Sequence, residues 1–414
     1  MGELCSQEWE LICSHGSNSD ARVENTVALL VVRPCLLDSH PGGRRELMTD
    51  RSQTKMVGIE FLRFVCAFAV LIWHYQHFAF TSRGIDVRPN LQPLYRLFKP
   101  AYSYGYMGVK VFWCISGFIF FFRYFVGLTT RKTGFREFFV NRLSRLYPLH
   151  ALTLIVVVML QSVYRTQNGY DFVYHFNDLK HFVLNIFFAS DWWRENNASF
   201  NGPIWSVSVE MIVYIVFFVV VSRLKLGWAY LLSLLLALAA GLAGWHDFSE
   251  CLLYFFVGGA IAICRFFPSE ISRREAIQRF AHQLLGIFLA VLTVVFSLVR
   301  PGIYAFDILI CMVVSCVVYI FVSCNHWFAP LSRAGNFLGN LTYSSYLIHF
   351  PLQLALVVAM SAAGLRVEYT NPMLLSTFLT TTLLLSAIAY RYFEVPAQKL
   401  IRARFLATKE LPAK

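Results

Sequence analysis

The sequence predicts an all-α, polytopic integral membrane protein with about ten transmembrane helices and both termini in the cytosol. Of its 414 residues, 57% are hydrophobic and only 14% are charged, and the mean hydropathy is +0.54. Such values exclude an ordinary soluble globular protein. Apolar runs long enough to cross a bilayer recur along the chain. Lys and Arg collect in alternate loops between these runs, which fixes the orientation.

The apolar runs predict the positions of the membrane spans. Runs of about 17 to 23 residues are needed to cross the hydrocarbon core. We predict ten of them, at residues 58–80, 105–126, 149–165, 204–222, 227–245, 251–266, 283–299, 303–325, 338–360 and 372–391. The stretch 181–190 is apolar but short, and it is interpreted as a re-entrant or interfacial piece.

The basic residues are distributed unequally between the two sides of the membrane. With a cytosolic N-terminus, the loops on that side hold 18 Lys and Arg, and those on the other side hold nine. The tail before Gly58 adds six more to the cytosolic side, and only the loop 81–104 is discordant. Cytosolic loops are the more basic ones in membrane proteins. The net charge of +12 is explained in this way, without a solvent-facing basic domain that would bind nucleic acid.

The chain divides into three parts of different character. Residues 1–55 are mostly polar and irregular and lack the features of a signal peptide, so they are predicted to be a disordered or mis-annotated N-terminal extension. Residues 56–400 form the predicted membrane domain, and residues 401–414 a cytosolic tail. The ten cysteines show no paired CxxC spacing, so neither disulfides nor a zinc or other metal site is indicated.

Two polar residues in the first span form the most informative pattern. Arg63 and His74 are eleven positions apart, which on an α-helix is three turns plus about 20°, so both side chains lie on one face, about 16 Å apart. Such a pair is costly in a membrane unless it faces a polar cavity or partners. The alternative is that Arg63 snorkels to the cytosolic interface and His74 lies at the opposite one. His77, nearer the interface, is not expected to take part.

The loop 127–148 is the most basic part of the chain, and the pattern at its end predicts an amphipathic helix. Arg142 and Arg145 are three residues apart and therefore share a face. One interpretation is an interfacial helix whose arginines touch anionic lipid headgroups. The other is a cytosolic phosphate clamp, because guanidinium groups bind phosphate through forked hydrogen bonds.

The fourth span contains a lone carboxylate. Glu210 is the only charge between Pro203 and Val221, and Ser206 lies four residues earlier on the same face. An intramembrane carboxylate is either functional or a structural counter-ion, and Arg63 is its candidate partner in both cases. The orientation puts Ser206 and Glu210 near the outer end, on the His74 side.

Two further spans carry polar groups. In the second span, Ser116 with Gly117 is more typical of close helix packing than of chemistry. In the ninth, Tyr346 and His349 share a face, and Pro351 is expected to kink the helix near them.

Six motifs occur in order along the chain: Arg63 with His74; Gly108-Val, Phe112 and Ser116-Gly117-Phe118; Arg142-Leu-Ser-Arg145-Leu-Tyr-Pro148; Trp205-Ser206 with Glu210; Tyr346-Leu-Ile-His349; and Phe393-Glu394-Val-Pro396. Together they resemble the membrane-bound acyltransferase family 3, which O-acylates extracytoplasmic glycans in bacteria. The similarity covers residues 56–400. Lys110 departs from the pattern, since family members often carry an acidic residue there.

The resemblance implies a reaction and a set of roles. Acyl-CoA, expected to be acetyl-CoA, is the donor substrate, no cofactor is permanently bound, and the acceptor is a sugar hydroxyl of a glycan or glycolipid. His74 is expected to be the general base or to be acylated itself. Glu210 would orient the histidine, and Arg63 would stabilise oxyanion charge or guide the donor. The substrate-binding residues are expected to be Arg142, Arg145, Ser206, Trp205, Ser116, Tyr346 and His349.

The resemblance also implies a multi-pass protein of the bacterial inner membrane; a homodimer remains open. The acceptor is equally open: an exopolysaccharide, a lipopolysaccharide O-antigen, a lipo-oligosaccharide signal or a glycosylated secondary metabolite. A secondary transporter is the rival from another class, but it would show two related halves with broken helices, and no such repeat is seen. A non-catalytic scaffold needs no buried ion pair.

Overall fold

The computed structural model describes residues 56–81, 89–192, 198–267 and 304–406. These residues form twelve α-helices and no strand, so the all-α prediction is confirmed for the described part of the chain. The helices are α1 Val57–Tyr75, α2 Tyr95–Tyr104, α3 Gly108–Thr129, α4 Phe135–Asn168, α5 Leu179–Ile186, α6 Trp205–Arg223, α7 Leu226–Leu242, α8 His246–Phe266, α9 Tyr304–Ser323, α10 Ser332–Ala362, α11 Pro372–Ala389 and α12 Val395–Leu406. A π-helical turn, Tyr390–Glu394, joins α11 to α12.

The helices can be compared with the ten predicted spans. In the described part, seven helical segments are long and apolar enough to cross a membrane, and each contains or overlaps one predicted span. Two more predicted spans coincide with shorter apolar helices, Leu226–Leu242 and Leu309–Ser323. The predicted span 283–299 lies outside the described residues, as do the N-terminal extension 1–55 and residues 407–414 of the tail. The short stretch near residue 181 forms the eight-residue α5.

Helix α4 is longer than the sequence predicts. It begins after Gly134 and ends at Asn168, where Gly169 adopts the left-handed conformation (φ 78°) and its N–H bonds to the Arg165 carbonyl. Left-handed glycine is a common way to end a helix. The predicted third span, 149–165, therefore lies within a longer helix and does not begin a new one. The basic amphipathic stretch and the membrane span are one helix that runs through Pro148.

The core of the bundle lies where α3 crosses α8. A Cβ atom added to Gly117 would be 1.7 Å from the Phe255 carbonyl oxygen, and one added to Gly258 would be 1.8 Å from the Cys114 carbonyl oxygen. Small residues allow membrane helices to approach this closely. Aromatic rings fill the space around this crossing, namely Phe118, Phe120, Phe121, Phe217, Phe255 and Phe256.

Helix α10 is tied to two other parts of the bundle by side-chain amides. Pro351 lacks an N–H, so the Leu347 carbonyl four residues earlier has no partner within the helix. The Asn201 amide donates a hydrogen bond to this carbonyl at 3.0 Å. The Gln353 amide donates to the His74 carbonyl at 2.9 Å, at the end of α1. These bonds hold α10 against α1 and against the chain that leads into α6.

Gly117→Ala tests the α3–α8 crossing. Because the new methyl group would meet backbone rather than a flexible side chain, we expect a loss of stability of about 3 kcal/mol or more. Thermal unfolding of the detergent-solubilised protein would measure it. Gly134→Ala is the matched control, since nothing lies within 4 Å of an added Cβ there. Equal melting temperatures for the two variants would contradict the close crossing.

Candidate active site

A cavity of about 130 Å³ lies between α1, α3, α4, α6 and α10. Its wall combines aromatic and aliphatic side chains with a large number of polar ones. The polar lining consists of Arg63, Ser116, Arg142, Arg145, Ser206, Glu210, Tyr214, Thr342, Tyr343 and Tyr346. Seven of the ten site residues predicted from the sequence therefore border one cavity, although they come from five different helices.

Arg63 borders the cavity and forms an ion pair with a neighbouring carboxylate. Its guanidinium forms an ion pair with Glu60, one turn earlier on α1, at 2.8 Å. Gly339 makes room for this pair, because a Cβ there would be 2.2 Å from the Glu60 carboxylate. The prediction that Arg63 pairs with Glu210 is corrected by this contact.

Arg142 is held in place by aromatic rings. Its guanidinium lies 4.3 Å from the centre of the Phe120 ring and donates a hydrogen bond to the Tyr124 hydroxyl at 2.8 Å. Its Nε is buried and has no hydrogen-bond partner in the structure. Cation–π contacts of this kind fix the plane of the guanidinium without using all of its donors. Arg142 therefore keeps hydrogen-bonding capacity for an anion.

Glu210 lies in the same cavity, within electrostatic reach of Arg63 and Arg142. Its nearest polar neighbours are the Ser116 and Tyr214 hydroxyls, which are 3.3 Å from each other. The sequence placed Glu210 on the His74 side, where it would orient the imidazole. The structure instead surrounds it with hydroxyl groups on the arginine side of the site.

The start of α6 contacts α10 through two hydroxyl groups. The Tyr346 hydroxyl donates to the Pro203 carbonyl at 2.7 Å and lies 2.8 Å from the Ser206 hydroxyl. Both Ser206 and Tyr346 border the cavity. Trp205 lies behind this wall, with its indole edge-on to Trp113 at 5.8 Å between ring centroids.

Three imidazoles form a cluster next to the cavity, which we call the histidine cluster: His74, His77 and His349. The His74 ring is 4.7 Å from the His349 ring and 5.0 Å from the His77 ring. His77 was expected nearer the interface, but it is buried, with 7% of its surface exposed. Among the described residues no group of His, Cys, Asp or Glu is placed to hold a metal ion.

Backbone contacts determine which ring nitrogen is free in His74 and in His349. The His74 Nδ1 is 2.9 Å from the Val70 carbonyl, and the His349 Nδ1 is 3.2 Å from the Ser345 carbonyl. A carbonyl only accepts, so each Nδ1 carries the proton, and in the neutral ring each Nε2 is left as an acceptor. The His349 Nε2, the His77 Nδ1 and the Gln353 Oε1 are all buried without a partner in the structure.

The histidine cluster and the cavity meet at Tyr346. The Tyr346 ring borders the cavity and lies 6.0 Å from the His349 ring, measured between centroids. His74 and His349 do not themselves line the cavity. The helical face shared by Arg63 and His74 therefore touches two polar regions, the cavity at Arg63 and the histidine cluster at His74.

Some residues of the site were not predicted from the sequence. Tyr214 follows Glu210 by four residues, and Glu60 precedes Arg63 by three, so helical spacing could have found both. Glu394 was noted only as part of a motif near the cytosolic end. The π-helical turn leaves it buried at 8% exposure, hydrogen-bonded by the Ser344 hydroxyl. No helical pattern in the sequence would place it there.

A family model described as an acyltransferase domain matches residues 56–391, which is most of the chain. The chain belongs to the acyltransferase family 3. No curated protein and no solved structure matches it. The matched segment of this membrane acyltransferase contains every residue that lines the cavity and all three members of the histidine cluster. Lys110, the departure from the family pattern, forms an ion pair with Glu250 at 3.0 Å.

Tyr346→Phe tests the contact between α6 and α10 in this acyltransferase. The variant removes the shorter of the two side-chain hydrogen bonds to the Pro203 carbonyl, which keeps the one from the Ser206 hydroxyl at 3.4 Å. We expect a loss of stability of about 1 kcal/mol, together with slower acyl transfer. Thermal unfolding and an acyl-transfer assay would measure the two effects. Tyr319→Phe is the control, because Tyr319 is 51% exposed on α9. Unchanged stability and turnover in Tyr346→Phe would show that the hydrogen bond of this hydroxyl does not stabilise the contact between α6 and α10.

Proposed function

We propose that the chain transfers an acyl group, in the simplest case acetyl, from cytosolic acyl-CoA to a sugar hydroxyl of an extracytoplasmic or lipid-linked glycan. The observation that carries this proposal is a single cavity with arginines on its wall that adjoins a buried histidine cluster. The family supplies the reaction class, acyl transfer. The donor, the acceptor and the roles of the residues are inferred from the chemistry of the site.

The arginine side of the cavity is suited to the donor. Arg63, Arg142 and Arg145 are oriented toward one small space, and paired guanidinium groups bind phosphate through forked hydrogen bonds. A volume of about 130 Å³ is well below the roughly 300–1,000 Å³ of sites that enclose a whole ligand. We infer that only the slender acyl-thioester arm enters the cavity, while the nucleotide end of the donor stays outside.

The histidine cluster is suited to a hydroxyl acceptor. The His349 Nε2 and the Gln353 Oε1 have no partner in the structure and are available as acceptors when the His349 ring is neutral. Buried acceptors of this kind favour a ligand that brings O–H donors. A sugar carries several hydroxyl groups on adjacent carbons, which fits this requirement. This part of the site also adjoins the end of α1 that the charge distribution assigns to the extracytoplasmic side.

The chemical step follows from the tautomer of His74. The Nδ1–H bond to the Val70 carbonyl leaves the Nε2 lone pair free. In our proposal, Nε2 takes the proton of the sugar hydroxyl while the oxygen attacks the thioester carbonyl. The new C–O bond forms, the C–S bond breaks, and the proton passes to the departing thiolate. Alternatively, Nε2 attacks the thioester first, and the acyl-imidazole then passes its acyl group to the hydroxyl.

Two further roles are assigned with this step. Arg63 is proposed to stabilise the negative charge that develops on the donor, or to guide its polar arm, because it borders the cavity with its guanidinium beside Glu60. Glu210 is proposed to act through the hydroxyls of Ser116 and Tyr214, which are its polar neighbours, rather than through His74.

His74→Ala is expected to abolish acyl transfer and leave the amount of membrane-inserted protein unchanged, because no other free imidazole lies on the Arg63 face of α1. Transfer to surface glycans would be measured by mass spectrometry in a deletion strain that carries the variant. His150→Gln is the control, since His150 is also fully buried but is bonded to the Asn185 carbonyl at 2.8 Å, outside the cluster.

A stable acyl adduct on His74, found by peptide mass spectrometry after incubation with acyl-CoA alone, would select the two-step route. Equal loss of transfer in the His74 and His150 variants, each normalised to folded protein, would indicate a packing defect and contradict the role of His74 in the chemistry.

The proposed orientation, with both termini in the cytosol, requires acyl groups to cross part of the membrane within the protein. Cysteines placed at Arg136 and at Leu179, both exposed, should react with impermeant reagents from opposite sides, Arg136→Cys from the cytosol and Leu179→Cys from outside. Acyl-CoA supplied only to the cytosolic face of sealed vesicles should then acylate an acceptor on the other face. A transporter would move a solute without consuming acyl-CoA. Labelling of both positions from one side would reject the orientation.

A further inference from the structure

Five arginines lie together at the Glu60 end of the bundle, and we call them the arginine cluster: Arg63, Arg123, Arg142, Arg145 and Arg402. Arg145 is within electrostatic reach of Arg63 and Arg142. Arg123 is within reach of the same two residues, and Arg402 is within reach of Arg123 and Arg142. The side chains come from α1, α3, α4 and α12, so helix packing rather than sequence proximity brings them together.

The carboxylates near the arginine cluster do not balance its charge. Among the described residues, Glu60 and Glu394 are the carboxylates within reach of Arg145. Glu60 is engaged in the ion pair with Arg63, and Glu394 accepts the hydrogen bond of the Ser344 hydroxyl. Glu210 is within reach of Arg63 and Arg142, so five positive charges face three negative ones. Like charges held this close repel, and partial burial weakens the screening by water. The excess favours an anion with several charges.

The arginine cluster has an inner and an outer part. Arg63, Arg142 and Arg145 border the cavity, whereas Arg123 and Arg402 do not. Both outer residues are exposed. Arg402 reaches across to α4, where its Nε donates to the Ser144 hydroxyl at 3.3 Å, next in sequence to Arg145. The outer pair therefore lies beside the inner three but outside the cavity.

We propose that Arg123 and Arg402 bind the 3′-phosphate of the acyl-CoA donor and make the enzyme selective for it. The assignment rests on the proposed function. Coenzyme A carries a diphosphate between its pantetheine arm and the ribose, and a separate phosphate on the ribose. A phosphomonoester has a charge of about −1.5 to −2 at neutral pH, which suits two exposed guanidinium groups that form no ion pair in the described part of the chain. The inner arginines would hold the diphosphate.

The test compares two probes, coenzyme A and 3′-dephospho-coenzyme A, which differ only in this phosphate. Their affinities would be measured by calorimetry with the full-length protein in nanodiscs of zwitterionic lipid. We expect the wild type to prefer coenzyme A by about tenfold, the lower end for charge-assisted hydrogen bonds, because both outer arginines are exposed. Arg123→Ala and Arg402→Ala should remove most of this preference and leave the affinity for the dephospho form unchanged.

Two further variants control the measurement. Arg404→Ala, an exposed arginine on the same helix as Arg402, should keep the full preference. Arg145→Ala should lower the affinity for both probes to the same extent, because Arg145 is proposed to contact the diphosphate that both probes contain.

The outcomes separate this assignment from the proposed function. Binding of neither probe to the wild type would reject the donor and the assignment together. Equal binding of the two probes by the wild type, or an unchanged preference in both outer variants, would reject the 3′-phosphate assignment alone. The titration would be repeated in nanodiscs that contain phosphatidylglycerol. If the outer variants lose affinity for that lipid and keep the preference for coenzyme A, the outer pair binds lipid headgroups and the assignment is wrong.

Discussion

The hydrogen bond from Asn201 to the Leu347 carbonyl is the contact on which the arrangement of the site depends. Inside a membrane, every backbone polar group must find a partner within the protein. Pro351 deprives this carbonyl of its helical partner, and the Asn201 amide replaces it. The same helix then presents Tyr346 to the cavity and His349 to His74. The missing N–H of Pro351 thus couples the start of α6 to the helix that carries Tyr346 and His349.

The two ends of the site differ in charge: one is lined by arginines and the other by histidines. At the arginine end, several cations are brought together with too few carboxylates, and aromatic rings such as Phe120 hold a guanidinium without neutralising it. At the histidine end, backbone carbonyls fix the tautomers of His74 and His349. In our proposal, the polyanionic donor therefore binds at one end and the polyol acceptor at the other. The small cavity between them leaves little room for either to occupy the wrong end.

Much of the fold could be predicted because membrane helices carry a strong local signal. Nine of the ten predicted spans fall in the described residues, where seven coincide with helices long and apolar enough to cross a membrane and two with shorter apolar helices. Helix limits were less predictable: α4 continues through Pro148 because proline removes one bond without ending a helix that neighbouring helices support. The basic residues before Pro148, predicted as an amphipathic helix at the end of a loop, belong to the same helix as the span.

The sequence identified seven residues that border one cavity, but it could not show which of them pair with each other. Helical spacing found Arg63, His74 and Glu210, because each is a polar exception in an apolar run. It could not show that Arg63 pairs with Glu60, or that Glu210 lies among hydroxyls away from His74. Those relations depend on how helices rotate about their axes when they pack. The burial of His77 and of Glu394 has the same origin, since one follows α1 in a 3₁₀ turn and the other ends a π turn.

The crossing of α3 and α8 has a mechanical consequence. Backbone rests on backbone at Gly117 and Gly258, with no side chain between them to rearrange. These two helices can therefore move only as a rigid unit. Any widening of the cavity must therefore occur elsewhere, at seams lined by side chains and single hydrogen bonds, such as the one between α10 and α6. Helices α3 and α8 thus form the rigid pair against which such a movement would take place.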